Sequence, residues 1–211
     1  MDGVLYTKSG DTLITCPGGK TVVNEYPDDL TYIADQAFSY CSNLTSVTIP
    51  SGVTSIGRSA FWGCSSLATI NLPSSLTEIK MSAFGGCSSL TSVEIPENVI
   101  TIGDFCFRDC TSLTSVSIPA GVTSIGDYMF SCCTGLMEFK VDENNPKYMS
   151  MDGALYTKSG ATLLRFPAGR DKVTEFHENL TEIGWVAFSS CEKITNITIP
   201  AGVESIGSEA F

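Results

Sequence analysis

The feature that most constrains the fold of this chain is a phenylalanine that returns every 23 residues. Five phenylalanines from Phe38 to Phe130 follow at this interval, and Phe188 and Phe211 are again 23 residues apart. Three residues after the first six of these comes a cysteine, and three residues later a leucine or isoleucine. A fixed period of roughly 20 to 50 residues is the signature of a solenoid, in which each unit packs on its neighbours. The chain is therefore predicted to be a repeat array.

Each repeat contains one short strand whose two sides differ in polarity. In residues 44–49 apolar side chains alternate with hydroxyl side chains, which is typical of a strand with one buried side. Pro50 ends this strand because proline offers no N–H to extend a ladder. Gly57 follows in the unit and predicts either a close backbone approach or a positive φ.

A second, longer period lies over the first. Residues 1–20 and 151–170 are identical at 13 of 20 positions, so the chain is a 150-residue cassette followed by 61 residues of another. Each cassette begins with two β-prone runs around Lys-Ser-Gly, which predicts a β-hairpin. We predict a single repeat domain over residues 1–211, made of a hairpin-containing start (1–25), tandem repeats (26–140), a hairpin insert (141–175) and further repeats (176–211).

The repeated strings resemble those of the BspA-type leucine-rich repeat family. The strings A-F-x-x-C-x-x-L and I-P-x-x-V-T-x-I-G look like the family's 23-residue unit, and D-G-x-L-Y looks like the insert common in its bacterial members. We predict an α/β, β-rich fold: a right-handed leucine-rich-repeat solenoid with a β-hairpin insert and short helical turns around A-F-x-x-C. The resemblance implies a cell-surface or secreted protein that mediates adhesion to host proteins or to other cells.

The nine cysteines of the chain fit the repeat better than they fit a set of disulfides. Six of them occupy the column three residues after the phenylalanine, and Cys16 is replaced by Phe166 in the second cassette. A position that accepts phenylalanine is hydrophobic, and in-register side chains of a stack point in the same direction. We predict a ladder of buried, reduced thiols, with disulfides as the alternative.

Charge and composition exclude several classes of partner. The chain has 12 Lys and Arg against 23 Asp and Glu, a net charge of -11, which repels nucleic acids and anionic membrane surfaces. With 43% hydrophobic residues it is too apolar to be disordered. No apolar run reaches the roughly 18 residues of a membrane span. We expect no nucleic-acid partner, no membrane insertion in this segment, and no signal peptide within residues 1–20.

Residues suited to catalysis or metal binding are scarce. The one histidine, His177, takes the place of a strand-ending proline, and the cysteines that could pair with it are predicted to be interior. The chain has no C-x-x-C pair for zinc and no glycine-rich phosphate loop. The acidic segment 142–146 lacks the alternating oxygen ligands of a calcium loop and is predicted to be a solvated turn. We expect a protein that is not an enzyme and that has no cofactor and no metal.

Side chains that the core does not require are available to a partner. On the outward side of the strands these are mostly hydroxyl and amide groups. The predicted partner-binding face consists of Ser46, Thr48, Thr69, Asn71, Ser92, Glu94, Ser115, Ser117, Glu138, Lys140, Asn196 and Thr198. Trp62 and Trp185, on the turn side of the repeat, form a rival site, because exposed tryptophan is enriched at binding hot spots. The alternative for both tryptophans is that each lies flat over a neighbouring turn and covers the edge of the core, or packs against the hairpin.

These observations lead to one main hypothesis and two alternatives. The main hypothesis is a non-enzymatic module for protein–protein interaction or adhesion, with a host or cell-surface protein as its ligand. The alternatives are a structural spacer in a surface protein and a glycan-binding module.

Overall fold

The fold is a β-solenoid of about eight turns, as a computed structural model shows for residues 3–211. Met1 and Asp2, which open the predicted 1–25 segment, lie outside the described residues. The first cassette contains β1 (Leu5–Tyr6), β2 (Thr12–Thr15), β3 (Val22–Val23), β4 (Tyr32–Ile33), β5 (Ser46–Thr48), β6 (Ser55–Ile56), β7 (Thr69–Asn71), β8 (Glu78–Ile79), β9 (Ser92–Glu94), β10 (Thr101–Ile102), β11 (Ser115–Ile118), β12 (Ser124–Ile125) and β13 (Glu138–Val141). Strand β14 (Tyr148–Met151) spans the boundary between the cassettes, and the second cassette contains β15 (Ala154–Thr157), β16 (Thr162–Arg165), β17 (Glu182–Ile183) and β18 (Ser205–Ile206).

Each turn of the first cassette contributes a strand to each of two sides of the solenoid. One side is the sheet β1-β2-β4-β6-β8-β10-β12, parallel except for the β1–β2 hairpin. The other side consists of the sheets β3-β5-β7 and β9-β11-β13. Pairing follows the sequence period, since Ser46 lies opposite Thr69 and Ser92 lies opposite Ser115.

The apolar columns of the repeat form the core, as predicted. Phe38, Phe61, Phe84 and Phe107 are fully buried, and successive rings stack with centroids 4.7 to 5.4 Å apart. This separation is close to the distance between neighbouring strands. Each ring therefore packs on the same ring of the next turn, and the core is a continuous column.

The predicted helical turns at A-F-x-x-C, and with them the α/β class, are wrong: residues 3–211 contain no helix. The residue before each Ala-Phe pair has a positive φ, as at Ser59 (52°), and so does the residue before the column cysteine, as at Gly63 (70°). This backbone cannot form the successive i to i−4 hydrogen bonds of a helix. Instead the N–H groups of Ser59 and Phe61 donate to the carbonyls of Met81 and Ala83 in the next turn, at 3.0 and 2.7 Å. Inter-turn hydrogen bonds thus hold the third side of the solenoid.

The glycine column after the second strand of each turn reflects close packing of the backbone. A Cβ atom at Gly57 would lie 2.6 Å from backbone atoms of Ala34 and Asp35, and Gly57 has no positive φ. Of the two roles predicted for this column, close approach is the one that the structure confirms.

The stack is interrupted by an insert that carries the predicted hairpin. In it β15 pairs antiparallel with β16, and Leu155 lies opposite Arg165. Strand β14 pairs with β15 on the other side and was not predicted, because its sequence follows a run of turn residues. Leu155 packs into the core of the first cassette, whereas Ala154 and Tyr156 pack into that of the second. Strand β15 therefore separates two hydrophobic cores.

Asn145 fixes the chain at the start of the insert. Its side chain is fully buried, and its amide nitrogen donates to the carbonyls of Pro119 and Val122 at 2.8 and 2.9 Å. Its amide oxygen accepts the N–H groups of Lys147 and Tyr148 at 2.9 and 2.8 Å. The predicted solvated turn is therefore wrong for this residue, although its acidic neighbours are exposed.

Candidate binding surfaces

Ten of the twelve residues predicted for the partner-binding face lie together on β5, β7, β9, β11 and β13. In these strands a buried residue alternates with more exposed ones, as Ile70 does with Thr69 and Asn71. One column of the face is Ser46, Thr69, Ser92, Ser115 and Glu138, and the other is Thr48, Asn71, Glu94, Ser117 and Lys140. We call these two columns the strand face.

The fold makes little use of the side chains on the strand face. Within the described part of the chain, only Glu138 and Lys140 have a partner there, in an ion pair of 2.7 Å with each other. Threonines at the corners of the solenoid differ: the hydroxyls of Thr54 and Thr77 donate to carbonyls one turn earlier, at 3.4 and 3.1 Å. Corner hydroxyls thus stabilise the stack, whereas those of the strand face remain available.

The strand face is neutral at one end and charged at the other. Ser46, Thr48, Thr69 and Asn71 carry no charge. Towards β13 a groove of about 290 Å³ is lined by Glu94, Glu97, Lys140 and Asp142, among others. A partner that covers the whole face would meet hydroxyl groups first and a largely acidic groove beyond them.

Asn196 and Thr198, the other two predicted residues, lie apart from the strand face. Both are exposed, in a segment that forms no strand. The insert lies between them and β13, because the Gly169 N–H donates to Leu136 O at 2.7 Å and the Gly169 carbonyl accepts Lys193 Nζ at 3.0 Å. The predicted columns are therefore continuous only as far as β13.

Trp62 lies against the following turn. A Cβ atom on Gly85 would come within 2.2 Å of the indole ring, so the ring covers this glycine. Tyr40, in the preceding turn, covers Gly63 in the same manner, with 2.9 Å between its ring and a Cβ placed there. Gly63 and Gly85 lie in neighbouring columns of the repeat, and each leaves room for an aromatic ring from the turn before.

Trp185 belongs to an aromatic cluster at the junction of the two cassettes. The rings of Trp185 and Tyr128 meet edge-on, with their centroids 4.7 Å apart. The Tyr128 hydroxyl donates to Glu209 at 2.9 Å, and the Tyr128 ring stacks on Phe105 at 5.2 Å. Trp185 is 39% exposed, and it contacts a different turn from Trp62.

The column cysteines form the predicted ladder of thiols, and all of them are buried except Cys191, which is half-buried. The thiols of Cys64, Cys87, Cys110 and Cys133 each donate to the carbonyl of the phenylalanine 26 residues earlier, at 3.1 to 3.3 Å. Burial raises the pKa of Cys64 and of Cys133 to about 12. All nine cysteines are free of disulfides. The sequence indicated the burial of these residues, but their role as hydrogen-bond donors became visible only in the structure.

The remaining candidates for chemistry have structural contacts. His177 Nδ1 accepts the N–H of Asn179 at 3.1 Å, and the imidazole packs against Gly160 and Tyr156. From residue 3 to residue 211, no three or more His, Cys, Asp or Glu side chains are grouped so that they could hold a metal ion. The same residues include no helix of the length and apolarity needed to cross a membrane.

Solved structures of bacterial leucine-rich repeat proteins resemble this fold. A protein from Eubacterium ventriosum is 28% identical, with a TM-score of 0.76 over 90% of this chain and 50% of the other. A leucine-rich cell surface protein from Faecalibacterium prausnitzii is 29% identical, with a TM-score of 0.52 over 99% of this chain and 71% of the other. A Bacteroides ovatus protein is 28% identical, with a TM-score of 0.66 over 98% of this chain and 54% of the other. This chain thus spans half the length of the Eubacterium ventriosum protein.

Sequence comparison supports the same relationship. No curated protein sequence matches the chain. The profile of the BspA type leucine rich repeat region, however, matches six copies within residues 25–151 and 172–211. The matched residues include the stacked phenylalanines and the thiol ladder. Because the profile covers most of the chain and the fold agrees with it, the chain belongs to the BspA-type leucine-rich repeat family.

Proposed function

We propose that this chain is a non-enzymatic binding module that contacts a protein partner through the strand face. This proposal depends on one observation: within residues 3–211 the hydroxyl and amide groups of this face have no hydrogen-bond partner, whereas the corner hydroxyls have one. Groups that are already exposed and unpaired bind a partner at little cost in broken hydrogen bonds. The regular strands also hold them in fixed positions, which reduces the entropy lost on binding.

The chemistry of the strand face defines the partner. Its neutral end, around Thr69 and Asn71, fits a protein surface rich in backbone and hydroxyl groups. Its acidic groove, with Glu94, Glu97 and Asp142 in the lining, fits a lysine or arginine of the same partner. A host or cell-surface protein with a basic residue beside a polar patch meets both requirements.

A position at the cell surface and a role in adhesion are part of this proposal. The Faecalibacterium prausnitzii protein is a leucine-rich cell surface protein, and its relationship to this chain supports a similar location. Under the same proposal, residues 1–211 act as one repeat domain of a surface protein.

The test is a binding screen against an array of extracellular matrix and cell-surface proteins. Asn71→Arg places a large cation in the neutral part of the strand face and should abolish binding of any ligand found. Trp62→Ser and Trp185→Ser should leave that binding within twofold of the wild type, because neither tryptophan belongs to this face. Thermal melting of each variant reports whether it is folded.

Two outcomes would overturn the proposal. Loss of binding in a tryptophan variant, with Asn71→Arg binding normally, would assign the partner to the turn side. Absence of any protein ligand on the array would favour the structural spacer.

A further inference from the structure

A cleft of about 200 Å³ opens where the insert interrupts the stack of turns. Buried residues such as Met129 and Phe130 form part of its lining, and the more exposed Asp127, Arg165 and Trp185 complete it. It lies between the last turn of the first cassette and the strands of the second. We call it the junction cleft; it lies outside the strand face.

The interruption leaves an acidic group of the repeat without its usual partner. In the complete turns, Asp35 Oδ1 accepts the N–H of Arg58 at 2.8 Å, and Asp104 Oδ1 accepts the N–H of Asp127 at 2.9 Å. Asp127 occupies the same column, but the insert follows it and no residue between 3 and 211 donates to its carboxylate. Its two oxygens are therefore free acceptors at the cleft.

The guanidinium of Arg165, in the same cleft, has N–H groups that are not used in hydrogen bonds within residues 3–211. Arg165 Nη1 donates to the carbonyl of Val186, and no carboxylate within residues 3–211 forms an ion pair with the guanidinium. Its other N–H groups have no acceptor in that part of the protein. Burial lowers the pKa of Arg165, and the negative charge of Asp127 is among the contributions that oppose this shift.

Comparison of the cassettes indicates that these residues are particular to the junction. At the positions of Arg165 and Trp185, the first cassette has Thr15 and Asp35. The pair of Arg165 and Trp185 is therefore not part of the pattern that the two cassettes share.

We propose that the junction cleft binds one neutral sugar ring. Hydroxyl groups of a pyranose both donate and accept, which suits the free Asp127 carboxylate and the free N–H groups of Arg165. The apolar face of the ring suits the exposed indole of Trp185 and the apolar inner wall. A neutral ligand also suits a protein with a net charge of -11, which repels an anionic one.

The test uses Trp185 as its reporter. In a Trp62→Phe variant Trp185 is the one remaining tryptophan, and its fluorescence is titrated with the methyl glycosides of glucose, galactose, mannose and N-acetylglucosamine. At least one of these should give a saturable change at millimolar concentration. Saturation-transfer NMR on the unmodified chain should detect the same sugar, which guards against misfolding of the variant.

A matched pair of variants locates the site. Asp127→Asn should weaken sugar binding at least tenfold without a change in melting temperature, because no hydrogen bond or ion pair within residues 3–211 holds this carboxylate. Asp35→Asn alters the same column far from the cleft and should leave sugar binding unchanged. Asn71→Arg on the strand face should also leave it unchanged, so this proposal and the one for the protein ligand fail separately.

Three results would overturn the proposal. They are the absence of a saturable signal with all four glycosides, equal sugar affinity in Asp127→Asn and the unmodified chain, and saturable binding of acetate in preference to the sugars. The last result would assign the cleft to carboxylates held by Arg165.

Discussion

Leu5 and Leu155 occupy the same position in two copies of one hairpin, yet Leu5 is 54% exposed and Leu155 is 2% exposed. Both residues lie in a strand that pairs antiparallel with the next. Leu155 packs into the core of the preceding cassette, whereas residues 3–211 place no turn before Leu5. Neighbouring turns, and not the local sequence, thus decide how much apolar surface each hairpin buries.

Leu155→Ala should lower the free energy of unfolding by about 2 to 5 kcal/mol, because it leaves a cavity between two packed turns. Leu5→Ala should change it by roughly 0.5 kcal/mol or less, since a half-exposed side chain loses little burial. Urea denaturation of both variants measures the difference. Equal losses in the two variants would contradict the role of β15 between the cores.

Phe84→Ala should lower the free energy of unfolding by about 3 to 5 kcal/mol. The Phe84 ring lies between those of Phe61 and Phe107, at 5.3 and 5.4 Å, so its removal breaks the stack on both sides. Phe211→Ala is the matched control, because Phe211 is 62% exposed and stacks only on Phe188. The melting temperature should decrease strongly in Phe84→Ala and only slightly in Phe211→Ala. Similar melting temperatures in the two variants would mean that the phenylalanine column is not the core.

Asn145→Ala should destabilise the protein by roughly 2 to 4 kcal/mol, because it leaves two buried carbonyls and two N–H groups without their partner. Asn144→Ala is the control, since Asn144 is exposed and its side chain donates one hydrogen bond, to Asp142 Oδ1 at 3.2 Å. Urea denaturation gives both values. A loss below about 1 kcal/mol for Asn145→Ala would show that water replaces these hydrogen bonds.

The thiol ladder predicts a loss of stability at alkaline pH. Burial raises the pKa of Cys64 and Cys133 from 9.0 in the unfolded chain to about 12 in the fold, so the unfolded chain releases these protons first. Stability is therefore complete below pH 9 and decreases as the pH rises from 9 towards 12, by about 1 kcal/mol per thiol at pH 10. Urea denaturation under reducing conditions at pH 8, 9 and 10 measures the decrease.

Cys64→Ala is the control for this pH dependence. Its stability should be lower at pH 8, because a buried thiol is lost, but should decrease less steeply between pH 9 and 10. Identical slopes for the variant and the unmodified chain would assign the alkaline effect to other groups, such as the buried Tyr156, whose pKa is also raised by burial.

The sequence allowed more of the fold to be predicted than of the candidate sites. The columns of Phe61 and Cys64 were predicted to be interior because their spacing repeats, and a repeated apolar position must face the same core in every turn. The prediction of helical turns was wrong, because a residue type such as the serine at position 59 does not indicate a positive φ. That conformation is imposed by the hydrogen bonds to the next turn, which are invisible within one repeat.

The amino-acid sequence by itself determined the stack, its period, its apolar columns and the position of the hairpins, because these depend on which residues recur at fixed intervals. Only the tertiary structure decided which polar groups remain unpaired. Thr54 and Thr69 are the same residue type, yet only the hydroxyl of Thr54 reaches a carbonyl of the preceding turn. The contact of Tyr128 with Trp185, 57 residues later in the chain, likewise depends on how two cassettes meet. A binding site is made of such long-range relations, and a repeat pattern contains only local ones.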